Sequence, residues 1–307
     1  MATMARPIVT GQEKPSHRYH AEANILNGHL RQPVDQEINR QSPVKLNDLR
    51  GGHFFQRAEY YSLEGLISFR SGYSHVSGNR SLKDHGWVTL ATSVLEGLNV
   101  LDVITADRVV AQVSTEHPLQ EGHTPHVTFL GTHFENLRVG GYKVEVELDL
   151  GICGEKPQGD KLYTSDLGFL DRAERQCAGI ARAPGLPSVV RAEYDADLKT
   201  IDELKARGGE EVNGSGKNGS SPKVVCSLVK SIGPIAIPGV KSFGNVLEIP
   251  GFGVVSLAEL RVGEKVYEPS NRSSNYFDVT MLRLEMGCIG DGQASAGNVT
   301  ANGHNHP

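Results

Sequence analysis

The chain has 307 residues, of which 38% are hydrophobic and 22% charged, and its formal net charge is −5. That length supports a sizeable core in one large or two ordinary domains. The acidic balance excludes the basic footprint with which a protein displaces counterions from nucleic acid, and no apolar run approaches the roughly 18 residues of a membrane span.

Residues 1–16 read as a polar, disordered segment without the apolar core and cleavage site of a secretory leader, so the expected location is the cytoplasm. From His20 onward, Ala21, Ala23 and Ile25 alternate with Glu22 and Asn24, the period-two pattern of a strand, and Asn27-Gly28 marks a turn. Pro33 and Pro43 bracket a polar connection. Arg50 to His53 is a turn, and residues 54–70 read as two strands split at Glu64-Gly65, because their apolar positions do not hold a helical period. Residues 71–86, rich in Ser, Gly and His, read as a loop. Residues 87–113 read as short strands with turns at Glu96-Gly97 and Ala106-Asp107. A helix over 91–103 is the competing assignment, disfavoured by the many β-branched residues.

The cleanest pattern lies at 143–150, where Val144, Val146, Leu148 and Leu150 alternate with Lys143, Glu145, Glu147 and Asp149. Gly140-Gly141 supplies the positive φ angles of a tight hairpin turn, with residues 129–139 as the partner strand. Leu167, Leu170, Cys177 and Ile180 then fall near helical spacing over 165–180, with Ser165 or Asp166 as the cap. A second, charged helix fits 188–207, and residues 208–222 are a flexible linker. Strands resume over 224–230, 246–249 and 253–262. Phe277, Val279 and Met281 keep one phase, then Leu282, Leu284 and Met286 keep the opposite one. An extra residue in the ladder, a β-bulge or sharp bend near Met281–Leu282, would produce that switch. Residues 291–307 read as a disordered tail. The expected fold is mainly β: an antiparallel β-sandwich or flattened barrel formed by residues 17–155 and 223–290, with 156–207 as a helical insertion.

Chemistry is sparsely marked. His117, His123, His126, His133 and Glu135, with Glu116 and Glu121 nearby, offer the imidazole and carboxylate groups that bind a divalent transition metal. Their spacing departs from a cupin-like pattern, being His-x-x-His around Pro125, with Glu135 nine residues after His126. Surface or loop histidines are the plainer account. Asp84-His85 lacks the G-x-S-x-G elbow of a hydrolase. The cysteines, at 153, 177, 226 and 288, form no C-x-x-C pair and read as buried free thiols. Phe54, Phe55, Tyr60 and Tyr61 are either an aromatic platform for a sugar or apolar ligand or, as the favoured reading, core packing.

The segments TSVLEGLNVLDVITADRVVAQVSTEHP, THFENLRVGGYKVEVELDL and VLEIPGFGVVSLAELRVG together resemble a family of uncharacterised bacterial β-rich proteins with no assigned activity. VITADRV and LRVGGYKVEV are also similar to the repeating strands of secreted choice-of-anchor β domains. The resemblance spans residues 86–150 and 224–290 and implies a fold but no reaction. The chain departs from the secreted relatives in having neither a signal peptide nor an anchor. The functional expectation is a non-enzymatic β-sandwich that binds an unidentified small molecule or protein partner, or serves as a structural component, with no cofactor, nucleic acid or membrane span. The alternative is a metal-dependent enzyme or metal-binding protein that uses the histidines of residues 117–135.

Overall fold

The computed structural model describes residues 16–32, 35–81, 86–119, 124–158, 161–207, 222–267, 272–287 and 291–306. The first half contributes β1 (Ser16–Leu30), β2 (Gln36–Gln41), β3 (Val44–Asp48), β4 (Gly52–Leu63), β5 (Ile67–Arg80), β6 (Trp87–Val100) and β7 (Ile104–His117). Short strands follow: β8 (His126–Thr128), β9 (His133–Glu135), β10 (Arg138–Val139), β11 (Tyr142–Lys143) and β12 (Val146–Leu148). A 3-10 turn (Tyr163–Ser165) leads into helices α1 (Leu167–Ala181) and α2 (Ser188–Ala206). The chain returns through β13 (Lys223–Ser227), β14 (Val229–Ile232), β15 (Lys241–Phe243) and β16 (Val246–Ile249). It ends in the long strands β17 (Gly253–Tyr267), β18 (Arg272–Gly287) and β19 (Asp291–His306).

Two large antiparallel sheets result, and β12 and β14 form a separate two-stranded one. Sheet A runs β15-β16-β17-β18-β19-β1-β2, with β13 also on β17 and β3 also on β1; sheet B runs β11-β10-β7-β6-β5-β4, with β8 and β9 both on β7. The architecture is a β-sandwich with a helical insertion, as the hydrophobic pattern indicates. The sheets approach each other closely where side chains are small. Ser93 Oγ on β6 donates to the Asn24 carbonyl on β1 at 3.0 Å. A Cβ added at Gly72 or Gly78 of β5 would come within 2.8 Å of Ile25, or of Tyr19 and Leu46, in sheet A. This corrects the loop expected at 71–86. Gly72, Ser74, Val76 and Gly78 form the buried face of β5, and glycine in a strand marks such a close approach.

The same correction applies to the tail expected at 291–307. β19 pairs with β1 from Ser16 opposite His306 to Leu30 opposite Gly292, and with β18 on its other edge. Ala294, Ala296, Val299 and Ala301 are its buried face. Residues 1–15 and most of the expected linker lie outside the described residues. Further corrections follow from pairing. Asn27-Gly28 is not a turn but continues β1, where Gly28 lies against the β19 backbone. The polar connection between Pro33 and Pro43 contains β2.

The phase switch at Met281–Leu282 is present, as a bend shared by neighbouring strands. Leu257 pairs with Leu282 and Glu259 with Thr280, so Ala258 and Met281 drop out together; on β19, Gly297 drops out opposite Met281. Register is the same on both sides, so no residue is inserted. Ala258 (φ 46°) and Gly297 (φ 66°) absorb the change. Sheet B repeats the device at Gly97 (φ 65°), with Asp107 dropping out opposite it. The turns expected at Glu96-Gly97 and Ala106-Asp107 are this bend. The true turn is Leu101-Asp102 (both φ 55°), where Asn99 Nδ2 donates to Asp102 Oδ1 at 2.6 Å.

Gly140 and Gly141 form the expected tight turn, between β10 and β11. The strand expected over 143–150 is broken: Lys143 ends β11, Val146–Leu148 is β12, which pairs with β14, and of the alternating apolar residues only Val144 is buried. Both helices form as the spacing predicts. The Asp166 carboxylate caps α1 by accepting from Phe169 N at 2.7 Å. Gln176 on α1 donates to the Ser227 and Val229 carbonyls at 3.0 and 3.1 Å, and Tyr194 on α2 donates to Asn245 at 3.0 Å. The helices therefore sit at the β13–β17 side of sheet A and leave its β19–β1–β2 side open. No described helix is long and apolar enough to cross a membrane.

Candidate functional site

In-register antiparallel strands place cross-strand partners on one face, and on the outer face of sheet A those partners are polar. One row contains Ser256, Arg283, Ser295 and Asn27. The next contains Glu259, Thr280, Asn298 and Asn24, and a third Arg261, Asp278, Thr300, Glu22 and Lys45. The shared bend lies between the first two rows, and it keeps Asn24 and Asn27 on the same side although they are three residues apart. The surface forms a cleft of about 300 Å³ whose ten lining residues, from Arg40 on β2 to Arg261 on β17, are all polar or charged.

The lining is pre-ordered. Asn298 is its hub: Nδ2 donates to Asn24 Oδ1 at 3.1 Å and Asn27 Oδ1 at 3.0 Å, and Oδ1 accepts from Thr280 Oγ1 at 3.1 Å. Ser295 Oγ donates to Asn27 Oδ1 at 2.9 Å, and Thr300 Oγ1 to Asp278 Oδ1 at 3.2 Å. The two carboxyls of the cleft are biased in opposite directions. A hydrogen bond from His20, followed by the Lys45 ammonium at 2.7 Å, pulls Glu22 down to about 2. Burial pushes Asp278 up, with Glu259 adding to the effect and Arg261 and the Thr300 hydroxyl opposing it. Two strand spacings separate these residues, about 10 Å. Beside the cleft, Glu259 lies between Arg261 Nη2 at 2.5 Å and Arg283 Nε at 3.1 Å, and Arg283 reaches Glu193 on α2 at 3.0 Å. This network fixes the Arg261 wall against the helical insertion.

A family model described as a domain of unknown function (DUF8256) matches residues 17–263. The chain belongs to this family. No curated protein and no solved structure matches it. The DUF8256 span carries Glu22, Asn24, Asn27, Arg40 and Arg261 of the cleft. Asp278, Thr280, Ser295, Asn298 and Thr300 come from β18 and β19, which follow that span yet lie between β17 and β1 in sheet A.

The histidines of this DUF8256 chain do not assemble as the alternative reading requires. His117 is fully buried between the sheets, its ring centroid 4.6 Å from that of His17, which stacks on Trp87 at 5.3 Å. Burial, then the neighbouring His17, holds His117 well below its ordinary pKa. His126 and His133 are exposed, opposite Glu116 and Val110 of β7. Six residues of strand separate those positions, about 20 Å. Glu135 is exposed opposite Arg108, and His123 lies outside the described residues. Among the described residues no group of three His, Cys, Asp or Glu is arranged to hold a metal ion. Among the described members of the set, His117 is thus turned into the core from a strand end, while His126 and His133 sit on separate short strands far apart along β7.

Asp84-His85 and Cys288 also lie outside the described residues. Cys153, Cys177 and Cys226 are buried free thiols, and burial pushes Cys177 up to about 12. The aromatic group is corrected in the opposite sense. Phe54, Phe55 and Tyr60 are 48, 62 and 76% exposed, and only Tyr61 packs inward, stacked on Phe69 at 5.4 Å. Sequence reasoning missed the cleft because Glu22 and Asn298 stand at opposite ends of the chain. The Asn298 amide is spent on cross-strand bonds that no local pattern announces.

Proposed function

We propose that this DUF8256 protein is a non-catalytic binding protein whose ligand is a small polyhydroxylated molecule of the sugar or polyol class, held in the cleft on the outer face of sheet A. The observation that carries the reading is a recess of about 300 Å³ with an entirely polar lining, already ordered by cross-strand hydrogen bonds. That volume is at the small end of ligand sites. Amide and hydroxyl side chains each present donors and acceptors, matching ligand hydroxyls that are also both. Arg40 and Arg261 balance Glu22 and Asp278, so the lining favours neither an anion nor a cation, and it offers no surface to a lipid tail. The lining groups bond to one another as a scaffold, which supports recognition over turnover. We place the protein in the cytoplasm on the strength of its three described buried free thiols.

Isothermal titration with glucose, galactose, mannose, maltose and myo-inositol tests the reading. Saturable binding of at least one is expected, weakened at least tenfold by Asn298→Ala. Failure of every probe, with the folded state of the wild type verified, rejects the sugar and polyol class.

A further inference from the structure

The exposed aromatics lie on β4, the terminal strand of sheet B, which among the described residues pairs only with β5. Natural sheets protect such edges with proline, lysine or short length, because free backbone groups recruit another strand. β4 is 12 residues long and contains neither proline nor lysine. His53, Phe54, Phe55, Gln56, Arg57 and Glu59 are all exposed, and Ala58 is half-buried. Both faces of the strand are therefore accessible. Non-extended backbone bounds the run on each side, at Gly52 (φ 141°) and Tyr60 (φ 25°). The midpoint of the regular stretch is Gln56.

An edge strand that meets a second copy of itself does so about a two-fold axis perpendicular to the sheet. Partners then share a face and the axis passes beside a single residue. With the axis at Gln56, His53 faces Glu59 of the second copy, Phe54 faces Ala58, Phe55 faces Arg57, and Gly52 faces Tyr60. Every pair is complementary: imidazole with carboxylate, large with small, ring with guanidinium, ring with glycine. Axes at Arg57 or Glu59 would instead oppose like charges. We infer that β4 pairs antiparallel with β4 of a second copy of this chain, centred on Gln56, making sheet B continuous across a homodimer. At about 200 Å² per ring, the exposed parts of Phe54, Phe55 and Tyr60 supply roughly 370 Å², close to half of the roughly 800 Å² that each partner of a stable dimer buries. The inference does not depend on the cleft, which is on the other sheet.

Sedimentation equilibrium of the full chain is the test, with hydrogen exchange of the β4 amides alongside. The wild type is expected to be a dimer at micromolar concentration, with β4 amides whose protection rises with concentration. His53→Glu sets a carboxylate against Glu59 of the partner at each of the two symmetric positions, and Glu59→Lys sets an ammonium against His53. Each is expected to raise the dimer dissociation constant at least tenfold without lowering the thermal midpoint of the monomer, measured at a concentration where the wild type is dissociated. In an equimolar mixture, the carboxylate introduced at position 53 of one variant faces the ammonium introduced at position 59 of the other, so a heterodimer is expected. A wild type that is monomeric into the high-micromolar range overturns the inference. So does a dimer that both variants leave intact, or a mixture that stays monomeric.

Discussion

The two outer faces of the sandwich obey one rule of alternation and end in opposite chemistry. On sheet A the outward positions are Asn, Thr, Ser, Asp, Glu and Arg, bonded across the strands into a recess. On sheet B the corresponding rows include Phe55, His75, Thr92 and Gln112, then Arg57, Tyr73, Val94 and Val110. There Phe55 and Tyr73 pack at 5.4 Å, and the aromatics stay uncovered at the β4 edge. A polar group is costly to enclose unless its bonds are made, so a pre-bonded polar recess is suited to exchanging water for a hydroxylated ligand. An exposed aromatic strip gains by being covered.

The largest expected effect comes from breaking what both faces share, the bend. A Cβ at Gly297 would stand 3.0 Å from Met281 Cβ and 3.2 Å from Val109 Cγ1 of the facing sheet, at φ +66°. Gly297→Ala is therefore expected to cost about 2–4 kcal/mol, from left-handed backbone strain plus overpacking. Gly65→Ala has a similar φ of +70° but open space around it, and should lose only about 1–2 kcal/mol. Urea midpoints of the two variants measure the difference, and equal losses would remove the packing role of the bend. Next in size, Asn298→Ala removes the hub of the recess and strands its partners, for about 1–3 kcal/mol of stability.

How much of this was legible in the sequence depends on where burial comes from. The helices, the Gly140-Gly141 turn and the phase switch at Met281 carry local periodicity and could be read. β19 could not, because apart from Val299 its inward residues are Ala and Gly; they are buried because β18 and β1 flank them and sheet B lies close. The Ser-Gly-His stretch of β5 was missed for the same reason. The polar cleft had no local signal, since its rows join both ends of the chain through long-range pairing. The described histidines show the reverse case: His117, His126 and His133 are near in sequence, and strand geometry sets them apart.

Two pH experiments sharpen the contrast between interior and cleft. His117 faces His17 on β1, lies opposite Trp87 on β6 and beside Gly303 and His304 on β19, and feels the charge of Lys156. Its pKa is depressed in the native state, so the unfolded chain takes up the proton first. Stability is complete above about 6.5 and is lost as the pH falls below it. His117→Gln should flatten that part of a midpoint-against-pH curve; an unchanged slope would assign it elsewhere. For Asp278 the sign is reversed. Its raised pKa means that the native state holds the proton more tightly, so ionisation costs stability as the pH rises above the usual carboxylate range. Asp278→Asn should therefore raise the midpoint at neutral pH while weakening sugar binding, a stability gain at the expense of function.

The smallest expected effect on stability is on the other face. Phe55 is 62% exposed, so Phe55→Ser removes little that the isolated fold buries, and a surface substitution of this kind moves stability by no more than about 0.5 kcal/mol. Its consequence should appear in assembly alone, because the ring is opposite Arg57 of the second copy and both copies lose it at once. Asn298→Ala should do the converse, lowering the midpoint and sugar affinity while leaving the dimer intact. Measuring both variants for midpoint, sugar binding and sedimentation separates the two faces. If Phe55→Ser lowers the midpoint of the monomer as far as Asn298→Ala does, then the aromatic strip supports the fold itself, and sheet B loses its claim to be a contact surface.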